Sequence, residues 1–364
     1  MEINVNMADL VDVIKKFKKI PKETTLSILD NLYVEADGSG IRVIANFLMD
    51  AIQFEIEGEV IEPGKILIDK KTLLLLDRIK SKGKVFLSKG KIICQNRQIE
   101  FYVEEDVEDY PLLPECNKPV FSANSSELKR LLGVVYASDK KEKRSPAFCS
   151  VIIDKDYFVA SDSYRVATRK FDFKNKLDKP VLLPTKSASF LLWMLKNNKQ
   201  VDVFTDNERL CFQFENIKYV ARLLSEAPFP WRDIMERHHK TDTIVKVDRN
   251  AILKELNLVK MVTEKPNYSI VLWADDGCLH AKGEEIERAL TVSVPILDFT
   301  GEEMDYKVVI NSMFLIEMIK EAGDKNENVG IGFNGPLGMV IVEGDMVANI
   351  NPNMERKKHF AGRQ

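Results

Sequence analysis

The chain holds four histidines, His238, His239, His280 and His359, and none stands in H-E-x-x-H or beside clustered cysteines that could complete a zinc site. His238-His239 falls in an Arg/Lys-flanked stretch and reads as a solvated linker; His280 lies in a strand-like run and reads as structural. No serine occupies a G-x-S-x-G elbow, and there is no G-x-x-x-x-G-K-S/T phosphate loop and no EF-hand. Gly330-Ile331-Gly332-Phe333-Asn334-Gly335 does match G-x-G-x-x-G. A dinucleotide site needs a helix N-terminus immediately after it to hold pyrophosphate. Here Pro336 to Val342 follows and is strand-like, so the stretch reads as a strand and a hairpin turn. Hydrolysis, phosphoryl transfer and nucleotide-dependent catalysis lack visible machinery. The chain is expected to be no enzyme, with no catalytic residue, cofactor or metal.

The chemistry that remains is electrostatic. Lys15 and Lys19 fall on the polar face of a first helix whose Leu10, Val13, Ile14 and Phe17 cluster opposite, together with Asp12 and Lys16. Lys129 and Arg130 lie off the Leu128, Leu131, Leu132 and Val135 stripe of a second, which Asn124 and Glu127 would open as a capping box. Lys254 points away from Ile252, Leu256 and Val259 on a third, opening near Asp248. The loop Asp139-Lys140-Lys141-Glu142-Lys143-Arg144 reads either as solvated or as a continuation of a phosphate-contacting surface. Val159 to Ala167 is a strand, a polar turn and a strand, with Arg165 either idle or functional.

These residues sit on a threefold internal repeat. Each unit has an amphipathic helix, a strand pair, a strand running straight into a second apolar helix, and closing strands. The strand-to-helix corners are Asp69, Pro184 and Asn311, about 120 residues apart, which is domain-sized and too long for a solenoid. Asp and Asn suit an N-cap and Pro the first turn. Closing strands are expected at Val85–Leu87, Ile92–Cys94 and Phe101–Val103, at Val201–Phe204 and Leu210–Phe214, and at Gly330–Phe333 and Met339–Val342. Proline-bearing connectors end the first two units at Tyr110–Pro114 and Pro228–Trp231. The expected fold class is α+β, with three similar domains of antiparallel sheets and two helices each, at 1–117, 118–236 and 237–364.

The 364 residues are 45% apolar and 30% charged, which excludes a disordered chain. No run approaches the length of a membrane span, and MEINVNMADL shows no secretory pattern, so a cytoplasmic protein is expected. Two N-x-S sequons, at Asn124 and Asn267, are then chance matches. Five scattered cysteines, Cys94, Cys116, Cys149, Cys211 and Cys278, are expected to be reduced. The net charge of −3 excludes a basic coat but not a local basic surface.

The pattern resembles the bacterial DNA polymerase III beta subunit, or sliding clamp, family over essentially the whole chain. The resemblance rests on the repeat, on Thr25-Leu26-Ser27-Ile28-Leu29-Asp30-Asn31, on Glu62-Pro63-Gly64, on Val159 to Ala167 and on Phe229-Pro230. It implies a head-to-tail dimeric ring of six like domains, a DNA clamp with helices lining the bore. The function it implies is that of a processivity factor encircling duplex DNA without sequence specificity. The implied partners are double-stranded DNA, a second copy (homodimer), the DNA polymerase III alpha subunit, the clamp loader and other proteins bearing a clamp-binding motif, and no membrane. DNA-facing residues would be Lys15, Lys19, Lys22, Lys129, Arg130, Lys140, Lys141, Lys143, Arg144 and Lys254. A partner-peptide groove would comprise Phe148, Ser161, Ser163, Tyr164, Arg165, Val166, Pro230, Ile234, Leu337 and Met339. Phe101 and Val103 of one subunit would meet Met261 and Val262 of the other. Departures are Ser163-Tyr164 for the family's Gly-His, Phe148 for its Leu, Glu23 with Lys22 near its basic residue, and a tail through Gln364 in place of its short M-P-M-R-like end. They motivate the alternative of a clamp paralogue acting as a protein-binding scaffold.

Overall fold

The computed structural model describes the chain outside residues 22–25, 80–82, 104–106, 142–143, 197–198, 239–240, 265–267, 322–326, 337, 343–344 and 348–364. Among the described residues there are seven α-helices: α1 Met7–Lys19, α2 Lys70–Arg78, α3 Ser125–Leu132, α4 Thr185–Met194, α5 Trp231–His238, α6 Arg249–Lys260 and α7 Ser312–Glu321. None is long and apolar enough to cross a membrane. The helices begin where polar side chains take up free N–H groups. Asn6 accepts from Ala8, Asp69 from Lys71 and Thr72, Asp248 from Ala251, and Asn311 from Met313 and Phe314. Each such cap contributes about 1 kcal/mol. Pro184 opens α4 with no side-chain bond, its ring fixing φ at the helix entry.

The chain divides into two compact units. The first comprises Met1–Leu132, Ile153–Asp156 and Phe171–Glu226; the second comprises Gly133–Ile152, Tyr157–Lys170 and Ala227–Gln364. The first holds two sheets. One runs Gly58–Glu62, Glu2–Asn6, Lys84–Ser88, Lys91–Cys94, Arg97–Glu100. The other runs Lys118–Asn124, Gln200–Thr205, Arg209–Phe214, Ile217–Arg222, Asp50–Ile56, Gly40–Asn46, Leu32–Asp37, Gly64–Ile68. Its helices pack in pairs, α1 with α2 and α3 with α4. In the second unit the strands follow in the order Tyr157–Ser161, Arg165–Lys170, Asp345–Val347, Val340–Val342, Asn328–Phe333, Thr243–Asp248, Ala289–Gly301, Cys278–Glu284, Ser269–Asp275, Val308–Asn311, and α6 packs on α7. These pairings are antiparallel. Leu10, Val13, Ile14 and Phe17 of α1 and Ile252, Leu256 and Val259 of α6 are buried, each contributing roughly 1.5–3 kcal/mol. The Tyr110 connector is pinned in the first unit. Its ring stacks on Tyr33 at 5.5 Å, its hydroxyl accepts from the Asn46 N–H at 2.9 Å, and the Asn46 amide donates to Pro111 and Leu112.

Five expectations are corrected. Lys16 is buried rather than solvated, because it ion-pairs with Asp12 and lies over the Phe54 ring. The third closing strand of the first unit is Arg97–Glu100, and Phe101–Val103 lie beyond it, since pairing with Lys91–Cys94 is set by the turn at 95–96. Asn124 does cap α3, through the Ser126 N–H, but Glu127 reaches forward to Arg130 rather than back. Residues 231–238 form a helix anchored by buried Trp231, so His238 ends a helix and not a linker; His239 lies outside the described residues. Cys116 and Cys211 form a disulfide across 95 residues, because the connector lays Cys116 on the sheet beside Cys211, Ala51 and Val220. Cys94, Cys149 and Cys278 are free.

Candidate interaction site

All groove candidates inferred from the sequence fall in the second unit. The strand Tyr157–Ser161 and the strand Arg165–Lys170 are joined by a tight turn. Asp162 makes that turn: its Oδ1 accepts the N–H groups of Tyr164 and Arg165 at 3.0 and 3.1 Å. The Ser163 N–H donates to the Ser161 hydroxyl at 3.0 Å, and Ser163 takes φ 74°, in the left-handed region. The turn forces Ser163 and Tyr164 outward while Ser161, Arg165 and Val166 are buried.

Tyr164 is half exposed and stacks on Phe314 of α7, centroids 6.1 Å apart. The Arg144 guanidinium lies 4.6 Å from the Tyr164 ring, a cation–π contact. Arg144, a DNA-facing candidate from the sequence, is exposed. Phe148 stacks on Phe229 at 5.2 Å, next to exposed Pro230 and half-buried Ile234. Met339 is half-buried. Register connects it to Tyr164: Val340 pairs with Val347, and Val347 with Arg165. Met339 and Tyr164 thus flank the same row two strands apart, about 10 Å at ordinary strand spacing. Leu337 lies outside the described residues.

Arg165 is not a free surface cation. Its guanidinium donates to Asp162 at 3.0 Å, to Glu317 of α7, and to the Tyr136 carbonyl at 2.9 Å. Behind it lies a second buried cluster. Asp345 accepts from the Tyr136 hydroxyl and Arg169 Nη1, each at 2.6 Å, and from the Thr168 N–H at 3.0 Å. Burial pushes the Tyr136 phenol well above its ordinary range, and the Asp345 charge adds to this. A turn residue with a buried ion-pair frame and an exposed aromatic above it makes a fixed wall, suited to apolar side chains of a peptide. Phe314, Asp162, Glu317, Tyr136 and Asp345 were missed from the sequence. Only Asp162, within the polar turn, carried a local signal; the others come from distant segments.

Of the basic candidates, Lys15, Lys19, Arg130, Lys140, Lys141 and Lys254 are exposed and Lys129 is half-buried; Lys22 and Lys143 lie outside the described residues. Lys19 Nζ sits 4.0 Å from the Trp193 ring, and Arg130 is paired with Glu127. Among subunit-contact candidates Met261 is 76% exposed, and Phe101, Val103 and Val262 are half-buried. The glycine motif serves packing: a Cβ on Gly332 would collide with Thr241, and Gly335 turns the hairpin at φ 68°. Among the described residues there is no cluster of three acidic, His or Cys side chains that could hold a metal.

Residues 117–231 match the family description "DNA polymerase III beta subunit, central domain". The chain is 22% identical over 350 residues to the beta sliding clamp of Chlamydia pneumoniae, covering 91% of this chain and 93% of that protein. It is 23% identical over 352 residues to that of Streptococcus pneumoniae serotype 4, covering 87% and 88%. Among solved structures, the DNA polymerase sliding clamp of Bacillus subtilis superposes with TM-score 0.85 at 18% identity, over 96% of this chain and 99% of that one. A putative DNA polymerase III beta subunit from Eubacterium rectale gives 0.84 at 20%, over 96% and 100%.

Proposed function

We propose that this chain, whose central domain belongs to the DNA polymerase III beta subunit family and whose fold is that family's throughout, is a sliding clamp. It acts as a processivity factor that encircles duplex DNA and tethers a polymerase. The observation that carries this is similarity to beta sliding clamps across 91% of the chain. The role is that of an accessory subunit and asks for no catalysis by this chain. The scaffold alternative is not favoured.

Three domains, 1–117, 118–236 and 237–364, would each contribute a helix pair, and two copies head to tail would close a ring. Each unit offers an open sheet edge for that contact. Arg97–Glu100 ends the five-stranded sheet, with Lys89, Lys91 and Arg97 around it. The strand Ala289–Gly301 pairs with Thr243–Asp248 only from Ile296 onward, so its start has one free side among the described residues. At that end stand Glu284 and Glu285, ion-paired with Lys282 and Arg288, then Glu287 and Ile286, which is 95% exposed, while Met261, 76% exposed, ends α6. Unpaired strand edges with bare apolar groups beside them favour edge-to-edge pairing between copies. Lys15, Lys19, Lys129, Arg130, Lys140, Lys141 and Lys254 would face the phosphates, which attract without reading bases and so permit sliding. The polymerase alpha subunit, the clamp loader and other motif-bearing proteins would dock at Tyr164, Phe148, Pro230, Ile234 and Met339, over Arg165.

The test is topological. Protein loaded on nicked circular DNA should be retained through gel filtration at about 83 kDa per ring, twice the 41.6 kDa chain, and released when the circle is cut. Equal retention on linear DNA with free ends, or a monomer at all working concentrations, would end this reading.

A further inference from the structure

The second unit carries an open pocket of about 770 Å³ that shares no residue with the groove. It lies at the Trp273 and Lys307 end of the strand pair Ser269–Asp275 and Val308–Asn311, whereas the α7 start and Phe314 lie at the other end. Its apolar surface comes from Trp273, Leu297, Phe299, Met304 and Tyr306. Leu297 is 55% and Phe299 38% exposed, so two large apolar side chains on that surface are open to a ligand.

Around that surface stand the carboxylates of Asp275, Asp276, Asp298, Glu303 and Asp305, against the ammonium of Lys307 within the pocket and of Lys246, which pairs in register with Asp298 on the neighbouring strand. No basic side chain among the described residues forms an ion pair with any of the five. The bonds seen are local: Asp275 accepts from the Asp276 N–H and Asp298 from the Phe299 N–H. Lys307 instead lies 4.6 Å from the Trp273 ring, which His280 also stacks at 5.0 Å. The pocket's own lysine therefore already shows how a cation sits on its aromatic surface.

The walls are preformed. The turn at Asp276 and Gly277 takes φ 47° and 69°, and the Gly277 carbonyl accepts from the Ile296 N–H at 2.9 Å. The Tyr306 hydroxyl accepts from the Gly335 N–H at 3.0 Å, and Met304 is buried beneath. A ligand entering spends little free energy on ordering this site.

We propose that this pocket binds a linear segment of a partner protein in which lysine or arginine side chains flank an aromatic or aliphatic one. The apolar residue covers Leu297 and Phe299, and the flanking cations meet the five carboxylates. Nucleic acid and acidic peptides are repelled by the same charge, so the site is distinct in chemistry from the basic faces.

A fluorescein-labelled peptide Arg-Lys-Phe-Lys-Arg is titrated into the full-length protein at low salt and at about 0.15 M. We expect saturable binding, weakened roughly tenfold by Asp298→Asn with Asp305→Asn, and again by Leu297→Ser. Binding of a clamp-motif peptide to the groove, followed in the same variants, stays unchanged, so failure here leaves the clamp reading standing. Four results overturn the proposal. One is binding indifferent to these substitutions. Another is equal affinity when alanine replaces the peptide's Phe, which marks diffuse charge attraction. A third is binding that appears only after truncation at residue 353, which assigns the pocket to the chain's own basic Arg356-Lys357-Lys358 sequence. The last is a change of oligomer mass in the pocket variants, which assigns it to a second copy.

Discussion

The Tyr164 ring stacks against Phe314, their centroids 6.1 Å apart and their planes 30° from parallel, joining a polar turn to a helix about 150 residues further along the chain. Arg144 adds a cation over the same ring. Tyr164→Ala is expected to cost about 1 kcal/mol of peptide binding, a roughly five- to tenfold loss of affinity. Anisotropy with a clamp-motif peptide measures it. Because the side chain is half exposed, the melting temperature should hardly move. Unchanged affinity would place the peptide elsewhere.

Asp345 is fully buried and accepts from three donors, so its removal strands Arg169 and Tyr136 in the interior. Asp345→Ala should destabilise the second unit by about 3–5 kcal/mol, with Asp345→Asn costing less. Urea unfolding followed by tryptophan fluorescence in a Trp193→Phe background, which leaves Trp231 and Trp273, reports that unit. A shift below about 1 kcal/mol would mean that water reaches the cluster.

Tyr136 and Tyr219 both have phenols raised well above their ordinary value of 10.0, burial first and then the neighbouring carboxylates Asp345 and Asp50. The folded chain keeps these protons and the unfolded chain releases them above that value. Their contribution to stability is therefore full below pH 10 and is lost as pH rises further. Thermal unfolding between neutral pH and about pH 11 should show a falling melting temperature at the alkaline end. Tyr136→Phe and Tyr219→Phe should flatten that fall even though each starts lower.

The Cys116–Cys211 bond closes a loop of 95 residues. Denatured, unreduced protein should show three reactive thiols and reduced protein five. Reduction should cost about 2–4 kcal/mol of stability, and a Cys116→Ser, Cys211→Ser variant should be indifferent to reductant. Five thiols without reductant would show the pair open.

Lys15→Glu combined with Lys254→Glu reverses two exposed charges on α1 and α6. DNA retention should fall, and the salt dependence should flatten by about one unit of slope for each phosphate that is no longer neutralised. The same slope as wild type would exclude these helices from the DNA-facing surface.

The apolar stripes of α1, α3 and α6, the corners at Asp69, Pro184 and Asn311, and the hairpin at Gly330–Gly335 could all be read from the sequence. Each depends on interactions within a few residues: a period of 3.6, an N-cap, a turn glycine. What the local pattern misjudged were side chains whose fate is set by a distant neighbour. By pattern alone Lys16 is solvated and Cys116 free, and Arg165 stays open between an idle surface cation and a functional one. In the fold Phe54 lies beneath Lys16, Cys211 meets Cys116, and Glu317 and Tyr136 close on Arg165. The aromatic wall of Tyr164 and Phe314 and the acid-rimmed pocket at Trp273 draw on segments that no sequence spacing joins. Periodicity encodes which face of an element is buried, whereas the partner of a charge or a ring is settled only when the sheets bring remote strands into register.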